Sequence, residues 1–247
     1  MAKVAALWRH PIKAHGREAL DHIVLTEGQT MPGDRQWAVA HEMSEADGSA
    51  WAHCASFTRA AKVPAIMAIT AITDKRTGQL TLSHPQLKDI TFDPDQESDI
   101  FLNWVRPLMP ANRAQSVRLV RSQTQGMTDS NYPTLSLINQ ASSDAVAEVL
   151  QQDISMHRWR GNIHLTGQEA WAEFGWVGKS LRIGTAEFKI EERIERCLAT
   201  AANPETGVRD ADTLGALNGT FGHQNFGVYA IVTKTGEVTV GDKVEVL

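Results

Sequence analysis

The sequence contains very little cysteine. Only two of its 247 residues are cysteines, Cys54 and Cys197. An iron–sulfur cluster takes about four cysteine ligands and a disulfide framework takes several paired ones, so this chain supports neither. If the protein moves electrons, they must therefore come from another source.

Long apolar runs are also missing. The longest apolar-rich stretch, residues 63–73, has about half the length of a membrane-spanning helix. The first nine residues hold too short an apolar run for a signal peptide. We therefore expect a soluble, cytoplasmic protein that does not enter a membrane.

An excess of positive charge is absent as well. The formal net charge is −5, from 24 Lys and Arg residues against 29 Asp and Glu residues. A general nucleic-acid surface would need a basic stripe, so we expect no nucleic-acid partner. The hydrophobic content of 42% is enough for one large core or two modest ones.

Cys197 is the most informative residue that is present. It follows Arg196 and lies near Arg193 in the chain, and this positive setting favours the thiolate that acts as a nucleophile or a soft metal ligand. The alternative is an inert cysteine packed like a small hydrophobic residue. Cys54 has Trp51 and Phe57 nearby and no adjacent cation, so we expect a structural role for it.

The pattern of apolar residues predicts a mainly β protein with a few helices, of the α+β class. The predicted strands share β-branched or alternating apolar residues: 4–8, 18–25, 36–40, 65–73, 79–82, 90–92, 117–120, 163–165, 180–183, 187–195, 228–233, 237–240 and 243–246. The periodicity predicts helices over residues 95–108, placed between two modules, and 139–151. Hairpin turns are expected at residues 235–236 and 241–242.

A change in pattern near residue 120 predicts two domains, 1–119 and 120–247. Two segments imitate known motifs but lack a required residue. Gly175–Ser180 resembles the end of a P-loop, yet its first glycine is too close to the Gly-Lys-Ser. His41–Glu45 begins like a zinc-protease helix, but the second histidine is missing. We therefore expect neither a P-loop phosphate site nor zinc hydrolysis.

Several segments, taken in chain order, resemble one family. They are His10-Pro11-Ile12-Lys13, Gly33-Asp34-Arg35-Gln36-Trp37, Thr128-Asp129-Ser130-Asn131-Tyr132-Pro133, Trp159-Arg160-Gly161-Asn162-Ile163, Arg196-Cys197-Leu198-Ala199-Thr200, Asn203-Pro204-Glu205-Thr206-Gly207, Phe226-Gly227-Val228-Tyr229 and Val240-Gly241-Asp242-Lys243-Val244. Together they are similar to the molybdenum cofactor sulfurase C-terminal (MOSC) domain with its N-terminal β-barrel domain. The resemblance covers nearly the whole chain and points to the branch that contains the mitochondrial amidoxime-reducing component and its bacterial relatives.

The resemblance implies a MOSC β-barrel domain packed with an N-terminal β-barrel-like domain. It also implies a molybdenum cofactor, Mo-molybdopterin, whose metal is bound by the Cys197 thiolate. The cofactor-binding residues that it implies are Lys13, Arg35, Asp129, Ser130, Arg160, Asn162 and Arg196. Two clusters of cations and histidines, at residues 9–17 and 157–160, fall on these motifs, and we favour anion binding there over a solvated charged face.

The implied activity is the two-electron reduction of small N-hydroxylated or N-oxygenated compounds. Reduction then needs an external electron donor, a ferredoxin-like or cytochrome-type protein with its reductase. An alternative of another class is a non-catalytic carrier of sulfur, as a Cys197 persulfide, or of the mature cofactor. A third is a degenerate fold that acts only as an interaction module.

Overall fold

The computed structural model describes residues 1–247, and it confirms the predicted class of a mainly β protein with a few helices. The strands are β1 (Lys3–Arg9), β2 (Glu18–Leu20), β3 (His22–Leu25), β4 (Trp37–His41), β5 (Thr70–Thr73), β6 (Leu80–His84), β7 (Leu87–Phe92), β8 (Ser116–Arg121), β9 (Leu135–Asn139), β10 (Ile163–Thr166), β11 (Ser180–Ile183), β12 (Ala186–Glu195), β13 (Asn225–Lys234), β14 (Gly236–Thr239) and β15 (Val244–Val246). The α-helices are α1 (Ser98–Val105), α2 (Gln140–Leu150) and α3 (Thr213–Phe221). Short 3-10 helices connect them, and no helix has the length and apolar content needed to cross a membrane.

The largest sheet has eight strands in the order β15-β11-β12-β13-β9-β10-β1-β2. Its only parallel pair is β9 with β10. The first two strands of the chain complete this sheet by pairing β1 with β10 and β2 with β1. Because of this pairing, residues near the N-terminus are held directly beside the strands of the C-terminal half.

The two largest of four hydrophobic clusters form the main cores of the fold. The larger, of 21 buried residues, lies against the eight-stranded sheet and includes Leu7, Leu137 and Phe188. The second, of 16, lies against the three-stranded sheet β5-β6-β7 and includes Phe92 and Phe101. The two remaining strand pairs are β4 with β8 and β3 with β14.

Both predicted helices form. Asn139 caps α2 by accepting a hydrogen bond from the Ala141 backbone N–H, and Gln151 ends it in the left-handed conformation. The prediction that the first helix lies between two modules is wrong, because α1 packs against β7 and β8 within the N-terminal half.

Some predicted strands differ from the structure. Residues 65–73 form a 3-10 helix followed by β5, because Pro64 fits the first turn of a helix and lacks the N–H that a sheet needs. Residues 18–25 form two strands in different sheets. The two hairpins near the C-terminus are absent. At Gly236 the chain passes so close to the backbone of Thr185 that a Cβ would lie 2.4 Å from its carbonyl carbon, and β14 continues to β3 instead.

Candidate functional site

An open cavity of about 170 Å³ is lined by residues from both halves of the chain. Seven of the eight residues predicted for the site line it: Lys13, Arg35, Asp129, Arg160, Asn162, Arg196 and Cys197. The eighth, Ser130, is buried beside it, and its carbonyl accepts a hydrogen bond from Thr128 Oγ1 at 3.1 Å. Residues separated by up to 184 positions therefore meet around one space.

Cys197 presents an exposed thiol at this cavity. The segment around it is fixed by its backbone. Arg196 N–H donates to the Gln224 carbonyl at 2.8 Å, and the Cys197 carbonyl accepts from both the backbone N–H and the hydroxyl of Thr200. The sulfur is thus held by a rigid main chain while its own surroundings stay open.

The turn after Cys197 is anchored to the N-terminal half. Arg17 donates to the Pro204 carbonyl at 2.9 Å and pairs with Glu205. Gly207 has a φ of +71° and passes so close to Ala65 that a Cβ would lie 2.6 Å from its Cα. Only glycine meets both demands, which explains the Thr-Gly that ends this motif.

Positive charge dominates the cavity. Six cationic side chains line it, and they are Lys13, Arg35, Arg59, Arg158, Arg160 and Arg196. Only two carboxylates, Asp129 and Glu195, line it as well. In a protein whose net charge is −5, this local excess of cations favours an anionic ligand.

Three of these cations are tied to the protein by their donors, and we call them the tied cations (Lys13, Arg158 and Arg196). Lys13 Nζ donates to the carbonyls of Met127 at 2.8 Å and Thr128 at 3.2 Å and to Asp129 Oδ1 at 2.5 Å, which uses all three of its protons. Arg196 donates to the carbonyls of Phe226 and Trp159. Arg158 donates to the Ala201 carbonyl and to Asp210.

Arg160 differs from the tied cations. Its guanidinium makes one hydrogen bond, to the Gly16 carbonyl at 3.2 Å, and has no carboxylate partner. Burial, followed by the nearby charge of Arg35, lowers the pKa of Arg160 to about 9. An anion placed here would accept hydrogen bonds from the remaining N–H groups of Arg160 and relieve its repulsion by Arg35.

Arg35 joins the two halves of the chain at the same place. It pairs with the buried carboxylate of Asp34 and donates to the Arg160 carbonyl at 3.1 Å. Arg35 and Arg160 have positive φ values of 50° and 47°, and Ala14, also at the cavity, has one of 64°. Three of the five non-glycine residues with positive φ thus line the cavity. Residues with strained backbone cluster at functional sites.

One wall of the cavity belongs to the eight-stranded sheet, and we call it the sheet wall (Ser136, Asn162 and Tyr229). Ser136 pairs with Tyr229 across the sheet. Asn162 Oδ1 accepts from the Ser136 N–H at 3.1 Å and hydroxyl at 3.0 Å, and its Nδ2 donates to the Trp8 carbonyl. Asn162 therefore fastens β1, β9 and β10 together beneath the cavity.

Cys54 also lines the cavity, which its sequence neighbours did not indicate. It is half-buried, and Arg59 Nη1 donates to its sulfur at 3.4 Å. No cation is adjacent to Cys54 in the sequence, whereas the fold places Arg59 beside the sulfur, and the structural role of Cys54 stays a prediction. The signal that was missed is Arg59, which lies five positions after Cys54 in the chain. After the short 3-10 helix Cys54–Ser56, the Arg59 side chain reaches back to the Cys54 sulfur.

The two clusters of cations and histidines divide between the cavity and other roles. From the first cluster only Lys13 lines the cavity, while Arg9 pairs with Glu18 and Arg17 holds the turn after Cys197. From the second, Arg158 and Arg160 line it. His157 instead packs its ring 4.2 Å from that of Trp8.

Amino acids alone do not supply a full set of metal ligands here. No three His, Cys, Asp or Glu side chains come together in a way that could hold a metal ion. A metal at Cys197 would therefore have to arrive with other ligands of its own. An anionic cofactor that carries its own sulfur ligands fits this donor set, because the protein offers one thiol among many cations.

Two family models match the chain. The model described as the MOSC N-terminal beta barrel domain matches residues 1–127, and the model described as the MOSC domain matches residues 126–245. The chain belongs to the MOSC family, in the form that carries both domains, and this confirms the resemblance of the motifs. The boundary near residue 120 stays a prediction.

Individual relatives are more distant. The chain is similar to mitochondrial amidoxime reducing component 2 of Homo sapiens, 31% identical over 46% of this chain and 37% of the relative. It is similar to mitochondrial amidoxime-reducing component 1 of Danio rerio, 26% identical over 68% of this chain and 64% of the relative. It is also similar to molybdenum cofactor sulfurase 2 of Culex quinquefasciatus, 24% identical over 66% of this chain and 27% of the relative. The matches thus span between 27% and 64% of these curated relatives' lengths.

A solved structure has the same overall fold. The crystal structure of the YUAD protein from Bacillus subtilis superposes with a TM-score of 0.50 at 14% sequence identity, covering 99% of this chain and 94% of that chain. At this identity the likeness concerns the fold alone.

Proposed function

We propose that this protein binds the molybdenum cofactor through the Cys197 thiolate and acts as an oxidoreductase that reduces small N-hydroxylated or N-oxygenated compounds. The observation that carries the proposal is the exposed Cys197 thiol at a cavity lined by six cationic side chains and two carboxylates. Relatives named amidoxime-reducing components and molybdenum cofactor sulfurases support the link to this cofactor.

The proposed assignments follow from which donors are free. Arg160, with one hydrogen bond to the protein, and Arg35, which keeps three of its five N–H donors after its bonds to Asp34 and to the Arg160 carbonyl, would bind the phosphate of the cofactor through charge-assisted bonds. Cys197 would supply the protein's thiolate ligand to the metal. When bound, the molybdenum cofactor supplies the two-electron chemistry that the amino acids lack.

The other predicted residues would act by holding the site in shape. Lys13 fastens residues 127–129 along one edge, and Arg196 fixes the backbone next to Cys197. Asn162 and the bonded Ser136 hold the strands beneath. Electrons would come from an external ferredoxin-like or cytochrome-type protein with its reductase, because the two cysteines cannot hold an iron–sulfur cluster.

A second candidate is a non-catalytic carrier that holds sulfur as a Cys197 persulfide or delivers the mature cofactor. The exposure of Cys197 favours it, because a persulfide must be reached by a donor and an acceptor. Relatives named molybdenum cofactor sulfurases also support it.

The experiment compares the native chain with Cys197→Ser, using Cys54→Ser as the matched control because Cys54 lines the same cavity. Each protein is purified from a host that makes the cofactor. Molybdenum is measured by mass spectrometry of the metal, and reduction of benzamidoxime is followed with an artificial electron donor.

The oxidoreductase predicts one molybdenum per chain and turnover in the native protein, both lost in Cys197→Ser and both kept in Cys54→Ser. A Cys197 mass raised by one sulfur atom, with no metal, would support the carrier instead. A native protein with neither metal nor added sulfur would contradict both and leave the interaction module.

A further inference from the structure

Two buried polar atoms without a hydrogen-bond partner belong to residues that line this cavity. In the whole chain, five buried side-chain polar atoms have no hydrogen-bond partner, and two of them, Thr134 Oγ1 and Arg158 Nε, belong to residues that line the cavity. Leaving a buried hydroxyl unpaired costs free energy, so native proteins pair nearly all of them. Thr134 is only 2% exposed. Its hydroxyl therefore needs a partner that the chain itself does not supply.

The position of Thr134 directs its side chain to the cavity. It precedes β9, in which Leu135 and Leu137 enter the larger hydrophobic core. Alternate residues of an extended chain share one face, so Thr134 lies on the face of Ser136. Ser136 belongs to the sheet wall, and both residues line the cavity.

The neighbours of Thr134 show that its state is unusual. The Ser136 hydroxyl, two positions later, donates to Asn162 Oδ1 at 3.0 Å. The Thr200 hydroxyl, also at the cavity, bonds to Thr213 Oγ1 at 2.6 Å. The buried hydroxyls of the cavity are thus paired with protein atoms except at Thr134, whose hydroxyl is left to a partner from outside the chain.

We propose that Thr134 contacts the bound cofactor directly, through a hydrogen bond between its hydroxyl and a nitrogen or oxygen atom of that cofactor. This rests on the proposed function for the identity of the ligand. The contact adds a neutral hydrogen-bond donor and acceptor to a cavity whose lining is dominated by cations. It helps to fix the cofactor against the sheet wall while Cys197 holds the metal.

The test uses Thr134→Val, which keeps the shape and removes the hydroxyl, and Thr134→Ser, which keeps the hydroxyl. The control is Thr58→Val, because Thr58 is also buried, at 5% exposure, lies outside this cavity's lining and bonds to Ser116 Oγ at 2.8 Å. Two quantities are measured. One is the urea midpoint of cofactor-free protein, and the other is the rate at which loaded protein loses its pterin, followed by the fluorescence of the oxidised pterin.

We expect cofactor-free Thr134→Val to keep or raise the urea midpoint, whereas Thr58→Val lowers it. Loaded Thr134→Val should lose its pterin about fivefold faster than the native protein, as expected for one lost hydrogen bond. Thr134→Ser should restore the slower rate.

Three results would overturn the proposal. A lowered midpoint in cofactor-free Thr134→Val would mean that the hydroxyl pairs with the protein. An unchanged rate of pterin loss, in a native protein that does hold the cofactor, would refute this contact and leave the proposed function intact. A native protein that never holds a pterin would refute both together.

Discussion

Lys13 and Arg160 line the same cavity, yet the protein uses them in opposite ways. Lys13 spends all three ammonium protons on the backbone and side chain of residues 127–129. Arg160 gives one hydrogen bond to the protein and has no carboxylate partner. The sequence motifs present both as cofactor-binding residues. The structure separates a cation that builds the site from one that is left open to a ligand.

This difference teaches that charge alone does not identify a ligand contact. A cation whose donors are already used stabilises the folded chain, and removing it should unfold the site. A buried cation without partners costs stability in the absence of a ligand, and removing it should harm only binding. The two kinds of residue can therefore be told apart by measuring stability and binding separately.

The largest effect is expected for Lys13→Met. The change removes three hydrogen bonds from a buried ammonium group and leaves two carbonyls without their donor, so the free energy of unfolding should fall by about 3 kcal/mol. Urea unfolding of cofactor-free protein measures this. The control is Lys62→Met, an exposed lysine without an ion pair, which should change stability by less than about 0.5 kcal/mol. An equal loss of stability in the two variants would show that the hydrogen bonds of Lys13 do not stabilise the fold, and Lys13 would not count as a tied cation.

A smaller difference in stability is expected between Arg160→Met and Arg196→Met, because only Arg196→Met should destabilise the cofactor-free protein. Arg196 is a tied cation, so its loss should cost about 2 kcal/mol of stability. Loss of Arg160 should leave the stability of cofactor-free protein unchanged or higher, because a half-buried charge that has no carboxylate partner and is repelled by Arg35 is removed. Inorganic phosphate should raise the melting temperature of the native protein but not that of Arg160→Met. A large destabilisation by Arg160→Met would contradict the distinction between Arg160 and the tied cations.

The smallest effect is the change that Arg160→Met makes in the dependence of stability on pH. Burial, with a further contribution from the charge of Arg160, lowers the pKa of both His15 and His157 to about 4. The folded protein therefore keeps them neutral, while the unfolded chain binds protons below about pH 6.5. Stability should be lost as the pH falls from about 6.5 to about 4, with a slope of about 1.4 kcal/mol per pH unit for each histidine.

Removing the charge of Arg160 should raise the pKa of both histidines in the folded protein, so the loss of stability should end at a higher pH and its total should be smaller. Unfolding free energies measured at several pH values between 7 and 4 test the effect in the native protein, Arg160→Met and Lys62→Met. Only Arg160→Met should differ. A profile that is identical in all three proteins would show that Arg160 does not act on these histidines.

Much of the fold follows from local pattern. The alternation of residues 180–183 predicted β11 with its correct bounds, and the capped helix from Asn139 was found. Strand β9 was missed although Leu135, Ser136 and Leu137 alternate in polarity, because it is only five residues long and runs directly into α2. Helix α3 was missed because two glycines weaken its helical signal.

The site was predictable only in part. The motifs named seven residues that line the cavity, although composition and spacing alone do not bring Lys13 to Cys197. The partners that separate the tied cations from Arg160 are mainly backbone carbonyls, which leave no signature in the sequence. Thr134 and Cys54 were not predicted for a similar reason. Thr134 is distinguished by its unpaired hydroxyl and Cys54 by its contact with Arg59, and neither feature can be read from the sequence.

The central claim is that the Cys197 sulfur bonds to molybdenum. X-ray absorption at the molybdenum edge of loaded protein counts the sulfur atoms around the metal. The loaded native protein and loaded Cys54→Ser are compared with the same cofactor after its release from denatured protein, because Cys197→Ser is expected to hold no metal. We predict one sulfur neighbour more in both loaded proteins than in the released cofactor. An equal sulfur count in loaded protein and released cofactor would contradict the assignment of Cys197 as the metal ligand.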